Sequence, residues 1–99
     1  MKVKLPKKMK IGNKWFEIEH THEIVDPRTK KTTVMGVVNY KLKRMRIAHK
    51  YPAAEVRNTF WHETIHAILE DMGHELCENE RFVTAFANRL SDAIDSAKF

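Results

Sequence analysis

The sequence predicts an α+β fold: a small, mainly antiparallel sheet of about three strands, followed by two helices. In the first half of the chain, apolar and charged residues alternate with the period of a half-buried strand. From Pro52 onward the apolar residues recur with the period of a helix. With 99 residues and 42% hydrophobic content, the chain suits a single domain over residues 1–99. We interpret the basic first ten residues as a flexible N-terminal segment.

Three segments in the first half are predicted strands. The segments 14–20 (KWFEIEH) and 44–49 (RMRIAH) alternate in polarity, and 31–40 (KTTVMGVVNY) is rich in β-branched residues. Residues 26–30 (DPRTK) form a predicted turn, because proline and aspartate favour one there. The NYKLK stretch at 39–43 is the predicted hairpin connection between the last two strands.

The second half predicts two helices. The first covers residues 52–73, with Pro52 in its first turn and Gly73 as its stop. The second covers residues 79–99, with Asn79 as the expected N-cap.

The first helix carries the motif His-Glu-x-x-His at His62, Glu63 and His66. At about 100° per residue, the two histidines lie side by side at the edge of the apolar stripe. The stripe consists of Trp61, Ile65, Ile68, Leu69 and Met72. Two histidines four residues apart on a helix can hold one zinc ion, and Glu63 between them can accept a proton from a metal-bound water. The competing interpretation is a pair of histidines on an ordinary amphipathic helix.

A catalytic zinc site needs a third protein ligand. An extended motif with a glycine at position 69 and a histidine at position 72 is excluded, because the chain has Leu69 and Met72. The remaining candidates are Glu80, Glu78 and His74. We prefer Glu80, because it borders the apolar stripe of the second helix where two helices should meet. An acidic residue is also common in a first helical turn without any ligand role.

Other polar residues near the motif have simpler interpretations. Glu70 and Asp71 can bond the second nitrogen of a ligand histidine, but a solvated acidic helix end is the simpler expectation. Cys77 is the single cysteine, so a disulfide framework is excluded and a reducing, cytoplasmic setting is expected. Candidates for oxyanion stabilisation exist by residue type alone: Tyr40, His49, Tyr51, His74 and Arg81.

The net charge of +5 arises largely from lysines in the first 14 residues and from residues 41–50 (KLKRMRIAHK). Because no nucleic-acid-binding motif accompanies these stretches, we expect solvated surfaces, and nucleic-acid binding is possible but not favoured. The sequence shows neither a signal peptide nor an apolar run that could span a membrane. The oligomeric state is left open.

The motif helix TFWHETIHAIL, followed by NERFVTAFANRL, resembles the gluzincin metallopeptidases, whose motif is completed by a glutamate on a later helix. It is most similar to the small phage and bacterial proteins of the ImmA/IrrE-like kind, over roughly residues 31–95. The resemblance implies zinc ligands at His62, His66 and Glu80, with Glu63 as catalytic base.

Two functions from different classes follow. The first is a zinc-dependent peptidase that hydrolyses a protein or peptide substrate in the cytoplasm of a bacterial or phage-infected cell. The second is a non-catalytic binding module that zinc stabilises and that acts on a protein or nucleic-acid partner. A fourth protein ligand, such as His74 or Cys77, would favour the second, and a functional need for Glu63 would favour the first.

Overall fold

The computed structural model has an α+β fold, as the sequence predicts, and it describes residues 4–25 and 32–99. The elements, in chain order, are β1 (Lys8–Ile11), β2 (Lys14–Thr21), β3 (Ile24–Val25), β4 (Thr32–Val34), β5 (Gly36–Asn39), β6 (Arg44–Ala48), α1 (Ala53–Asp71) and α2 (Glu80–Ser96). The predicted turn at 26–30 lies outside the described residues.

The main sheet has four strands in the order β1-β2-β6-β5, one more than expected. Both outer pairs are antiparallel, and the central pair β2 and β6 is parallel. The additional strand, β1, comes from the basic N-terminal segment. It forms a hairpin with β2 through Gly12, whose φ of +61° suits glycine. Residues 8–10 are therefore part of the sheet rather than a flexible tail.

The predicted strand at 31–40 is two strands in the structure. β4 pairs with β3 in a separate two-stranded sheet, and β5 pairs with β6 at the edge of the main sheet. The chain changes partners at Met35, whose carbonyl still accepts a hydrogen bond from the N–H of Ala48 at 2.8 Å. Propensity favours a strand on both sides of Met35 but does not specify the partner.

Helix α1 is buried on two sides. One side packs on the sheet through Val56 and Phe60, which meet Ile18, Met45 and Ile47. The other side packs on α2 through a cluster that contains Ile65, Leu69, Val83 and Ala87. The apolar stripe of the sequence corresponds mainly to the α2 side, although Trp61 packs against both clusters. Because α2 covers only part of the stripe, Ile68 and Met72 at its margin are exposed.

The first and last residues of both helices agree with the prediction to within three residues. Pro52 precedes the first residue of α1, and Gly73 follows its end with φ +64°. The side chain of Asn79 caps α2 by accepting a hydrogen bond from the N–H of Phe82 at 2.9 Å. Among the described residues, no helix is long and apolar enough to cross a membrane.

Candidate metal centre

Helix α1 places the two histidines of the motif side by side. Their ring centroids are 4.9 Å apart, since residues four positions apart lie on one face of a helix. His66 is buried, with 6% of its surface exposed, and His62 is partly buried. The pair lies at the edge of the core, where the sequence places it.

Glu80, the first residue of α2, reaches both histidines. One carboxylate oxygen, Oε1, lies 2.6 Å from Nε2 of His66, and the other, Oε2, lies 3.2 Å from Nε2 of His62. One ligand-type atom from each of these three residues lies within 4.8 Å of the other two. The N-cap bond of Asn79 fixes the start of α2, and so the position of the Glu80 backbone beside α1.

The other two candidates for a third ligand lie elsewhere. Nδ1 of His74 accepts a hydrogen bond from the N–H of Leu76 at 3.0 Å. The carboxylate of Glu78 accepts a weak hydrogen bond from the Cys77 thiol, with 3.8 Å between sulfur and oxygen. Within residues 4–25 and 32–99, the group of side chains that could hold a metal ion contains neither His74 nor Cys77. The arrangement thus offers three ligand atoms rather than a closed set of four.

A backbone carbonyl orients the His66 ring. Nδ1 of His66 donates to the carbonyl oxygen of Cys77 at 2.6 Å, while the Cys77 thiol donates to the carbonyl of His66 at 3.6 Å. A hydrogen bond at Nδ1 keeps the proton there and directs Nε2 toward Glu80, as is usual for a metal-binding histidine. Asp71, which the sequence analysis named as a candidate for such a role while preferring a solvated helix end, pairs with Lys14 at 3.1 Å.

Glu63 is buried, with only 9% of its surface exposed. Glu63 lies on the side of α1 that faces β5. This strand passes so close that a Cβ on Gly36 would lie 3.1 Å from Cγ of Glu63. The pKa of Glu63 is raised to about 7, mainly by burial; His66 opposes the shift, and the charge of Glu80 adds to it. A carboxyl group with this pKa can exchange a proton near neutral pH.

Burial also sets the state of His62. It lowers the pKa of His62 below its usual value, although the Glu80 carboxylate works in the opposite direction. His62 is therefore neutral at pH 7, with a lone pair on Nε2 available to a metal. Two imidazoles and one carboxylate match the ligand set of catalytic zinc sites.

A groove of about 700 Å³ opens from these residues along the two helices. Asn58, His62 and His66 line it from α1 at four-residue intervals, and Glu80, Thr84 and Asn88 line it from α2 at the same interval. The amide of Asn58 donates to that of Asn88 across the cleft. Asn58, Thr84 and Asn88 were not among the site residues predicted from the sequence. Their spacing of four residues from the motif histidines and from Glu80 was the signal that could have identified them.

The opposite wall of the groove is the chain from Val34 to Gly36. None of the oxyanion candidates named from the sequence lines the groove in the described residues. Tyr40, one of them, hydrogen-bonds the Cys77 thiol instead, and burial raises its pKa well above its usual value.

The chain was compared with known proteins at three levels. It matches no family model, no curated protein and no solved structure.

Proposed function

We propose that the chain is a zinc-dependent metallopeptidase of the gluzincin type. One observation carries the proposal: the carboxylate of Glu80, from a second helix, reaches Nε2 of both His62 and His66 beside the buried Glu63. These groups lie in a groove that is open to solvent. Three ligands together with an open position is the arrangement of catalytic zinc sites.

His62, His66 and Glu80 would hold the ion, and the His66–Cys77 hydrogen bond would keep one ring in position. When bound, zinc would acidify a water molecule and polarise a carbonyl group. Glu63 would accept the proton of the attacking water and pass it to the amine that leaves. Its buried position beside the ligand residues suits both halves of this transfer.

The substrate class follows from the groove and the sheet. Strand β5 lies at the edge of the main sheet, and among the described residues it pairs with β6 alone. Its first residue, Gly36, lines the groove beside Glu63. An extended peptide can pair with such an edge and pass the ligand atoms, so we propose a peptide or protein substrate held by strand addition.

The alternative is a zinc-stabilised binding module without catalysis. It is favoured by the position of α2, which packs on α1, so that a metal at Glu80 would join the two helices. It does not explain why an ionisable side chain, Glu63, is buried beside the ligands without a salt-bridge partner of its own in the described residues. Burying such a group costs stability.

The test is hydrolysis of a mixed peptide library by zinc-loaded protein, with products detected by mass spectrometry. Glu63→Gln should keep the metal and lose roughly 10²–10⁴-fold in rate. Glu70→Gln removes the same charge from an exposed position of α1 and should cleave as wild type does. If Glu63→Gln cleaves at the wild-type rate, the mechanism is wrong. If the wild type binds zinc and cleaves nothing, the binding module is favoured.

A further inference from the structure

The main sheet has one face that the helices do not cover. On β2 and β6, alternate residues point toward α1 and are buried: Phe16, Ile18, Met45 and Ile47. The residues between them are exposed on the opposite side, which we call the outer face. In the described residues the outer face consists of Lys8, Lys10, Trp15, Glu17, Glu19, Val37, Asn39, Arg44 and Arg46.

Strand pairing brings the two basic stretches of the sequence onto this face. In the register, Lys10 lies opposite Trp15, and Lys8 lies opposite Glu17. On the far side of β2, Glu17 lies opposite Arg44 and Glu19 opposite Arg46. Four cations thus surround two carboxylates, and the face has a net positive charge. Because adjacent strands are about 4.8 Å apart, the lysines and arginines lie within roughly 10 Å across the sheet.

The two glutamates form only long, exposed ion pairs with the arginines. The nitrogen–oxygen distances are 4.0 Å for Arg44–Glu17, 3.9 Å for Arg44–Glu19 and 3.8 Å for Arg46–Glu19. These distances are too long for hydrogen bonds, and all four side chains are about half exposed. The guanidinium groups therefore keep N–H donors for an anionic ligand. A guanidinium group binds best to an anion, such as a phosphate, that accepts two of its N–H donors in a bidentate geometry.

Trp15 gives the outer face an aromatic platform. Its exposed fraction is 54%, which is high for the largest apolar side chain. The ammonium groups of Lys8 and Lys10 lie 5.0 Å and 5.4 Å from the ring centroid. Both ammonium groups lie over the ring, so a base that stacks there would take their place, and the displaced lysines could then contact its phosphates.

We propose that the outer face binds single-stranded nucleic acid, by base stacking on Trp15 and phosphate contacts to Lys8, Lys10, Arg44 and Arg46. A flat sheet with an exposed aromatic ring and surrounding cations is a surface suited to unpaired bases. A duplex offers no free base to stack, and neither helix places a basic row against this face. The binding site is on the side of the sheet that faces away from the groove, so it is independent of the metal centre.

The experiment is fluorescence anisotropy of a labelled single-stranded 20-mer DNA of mixed sequence, titrated with the full chain at several salt concentrations. Wild type should bind, and log K should fall against log salt with a slope of about −3, as expected for four phosphate contacts. Trp15→Ala should weaken binding about tenfold. Arg44→Gln combined with Arg46→Gln should make the slope shallower by about 1.4.

Matched controls separate this face from general effects of charge and aromaticity. Arg89→Gln removes a positive charge from the exposed side of α2, and Phe86→Ala removes an exposed aromatic ring from the same helix. Both should bind as wild type does, and circular dichroism should show all variants folded. Absence of binding at low salt, or equal weakening by Arg89→Gln, would overturn the proposal. Binding to phosphatidylserine vesicles that depends on Trp15, without binding to the oligonucleotide, would overturn it in favour of a membrane surface.

Discussion

At the scale of single residues, the burial of Glu63 links its raised pKa to the stability of the fold. Its carboxyl group is buried beside two imidazoles and the carboxylate of Glu80, and its pKa rises from 4.5 to about 7. A folded state that prefers the protonated form is most stable below pH 4.5 and loses that contribution as the pH rises through about 7. The burial of Glu63, which we propose as the base, therefore costs the metal-free protein stability at neutral pH.

Glu63→Gln should stabilise the metal-free protein increasingly as the pH rises, because the glutamine has no charge to bury. Between pH 5 and pH 8, the difference in unfolding free energy between variant and wild type should grow by about 2–3 kcal/mol. Urea unfolding of both proteins in chelator, at the two pH values, measures it. Parallel pH dependence of the two proteins would show that Glu63 is not held in this state.

At the scale of elements, the close approach of β5 to α1 positions the site. A Cβ on Gly36 would lie 2.7 Å from Cγ2 of Thr59, well inside normal contact, and 3.1 Å from Cγ of Glu63. Glycine at this position therefore lets the edge strand lie directly against the residue that we propose as the base. The position of the sheet edge against α1 depends on this close contact.

Gly36→Ala should destabilise the protein by about 1–3 kcal/mol, because the added methyl group overlaps Thr59. Thr59→Ser removes the methyl group that it meets, so the double variant should recover part of the loss. Thermal unfolding of the two single variants and the double variant tests this as a mutant cycle. Additive effects would mean that the two residues do not compete for space.

The N-cap of α2 also helps to position the proposed metal site, because Glu80 directly follows the capping residue Asn79. Asn79→Ala removes the hydrogen bond to the N–H of Phe82 and should cost about 1 kcal/mol of stability. It should also weaken zinc binding, because the start of the helix that carries Glu80 is then less fixed. Asn79→Asp keeps an acceptor and should retain both properties. A competition titration with a chromogenic chelator measures the affinity, and unchanged affinity in Asn79→Ala would contradict the link.

The helices and the pairing of the two motif histidines were predictable from the sequence because their signals are local, whereas Glu80 was preferred among three candidates for the third ligand. Pro52, Gly73 and Asn79 mark helix ends within one turn, and a spacing of four residues places His62 beside His66 whatever surrounds them. Strand partners depend on residues far apart in the chain. The pairing of β2 with β6, and the inclusion of Lys8 and Lys10 in a strand, therefore needed the structure. The burial of Glu63 was missed for the same reason: the sheet that covers it is distant in sequence.

At the scale of the whole molecule, α1 packs on one face of the sheet, and α2 packs on α1. Besides the apolar cluster between them, the helices are joined by Arg57 and Asp95 at 3.1 Å and by contacts of Glu80 with both histidines. A metal at Glu80 would add a bond between the first turn of α2 and the middle of α1. Any ligand that binds only the folded state stabilises it.

Zinc at about 100 times its dissociation constant should raise the melting temperature by roughly 10 °C or more relative to protein in chelator. The gain should disappear in Glu80→Ala, whose apolar packing is otherwise intact because the Glu80 side chain is largely exposed. Differential scanning calorimetry with and without zinc provides the comparison. An equal gain in Glu80→Ala would place the metal elsewhere.

The most direct test of the metal centre is elemental analysis of purified protein after reconstitution with zinc and removal of the excess. Wild type and Glu78→Ala should each hold about one zinc per chain, while His66→Ala and Glu80→Ala should hold none. A wild-type chain that holds no zinc, or a Glu80→Ala variant that holds as much as wild type, would contradict a site built from His62, His66 and Glu80.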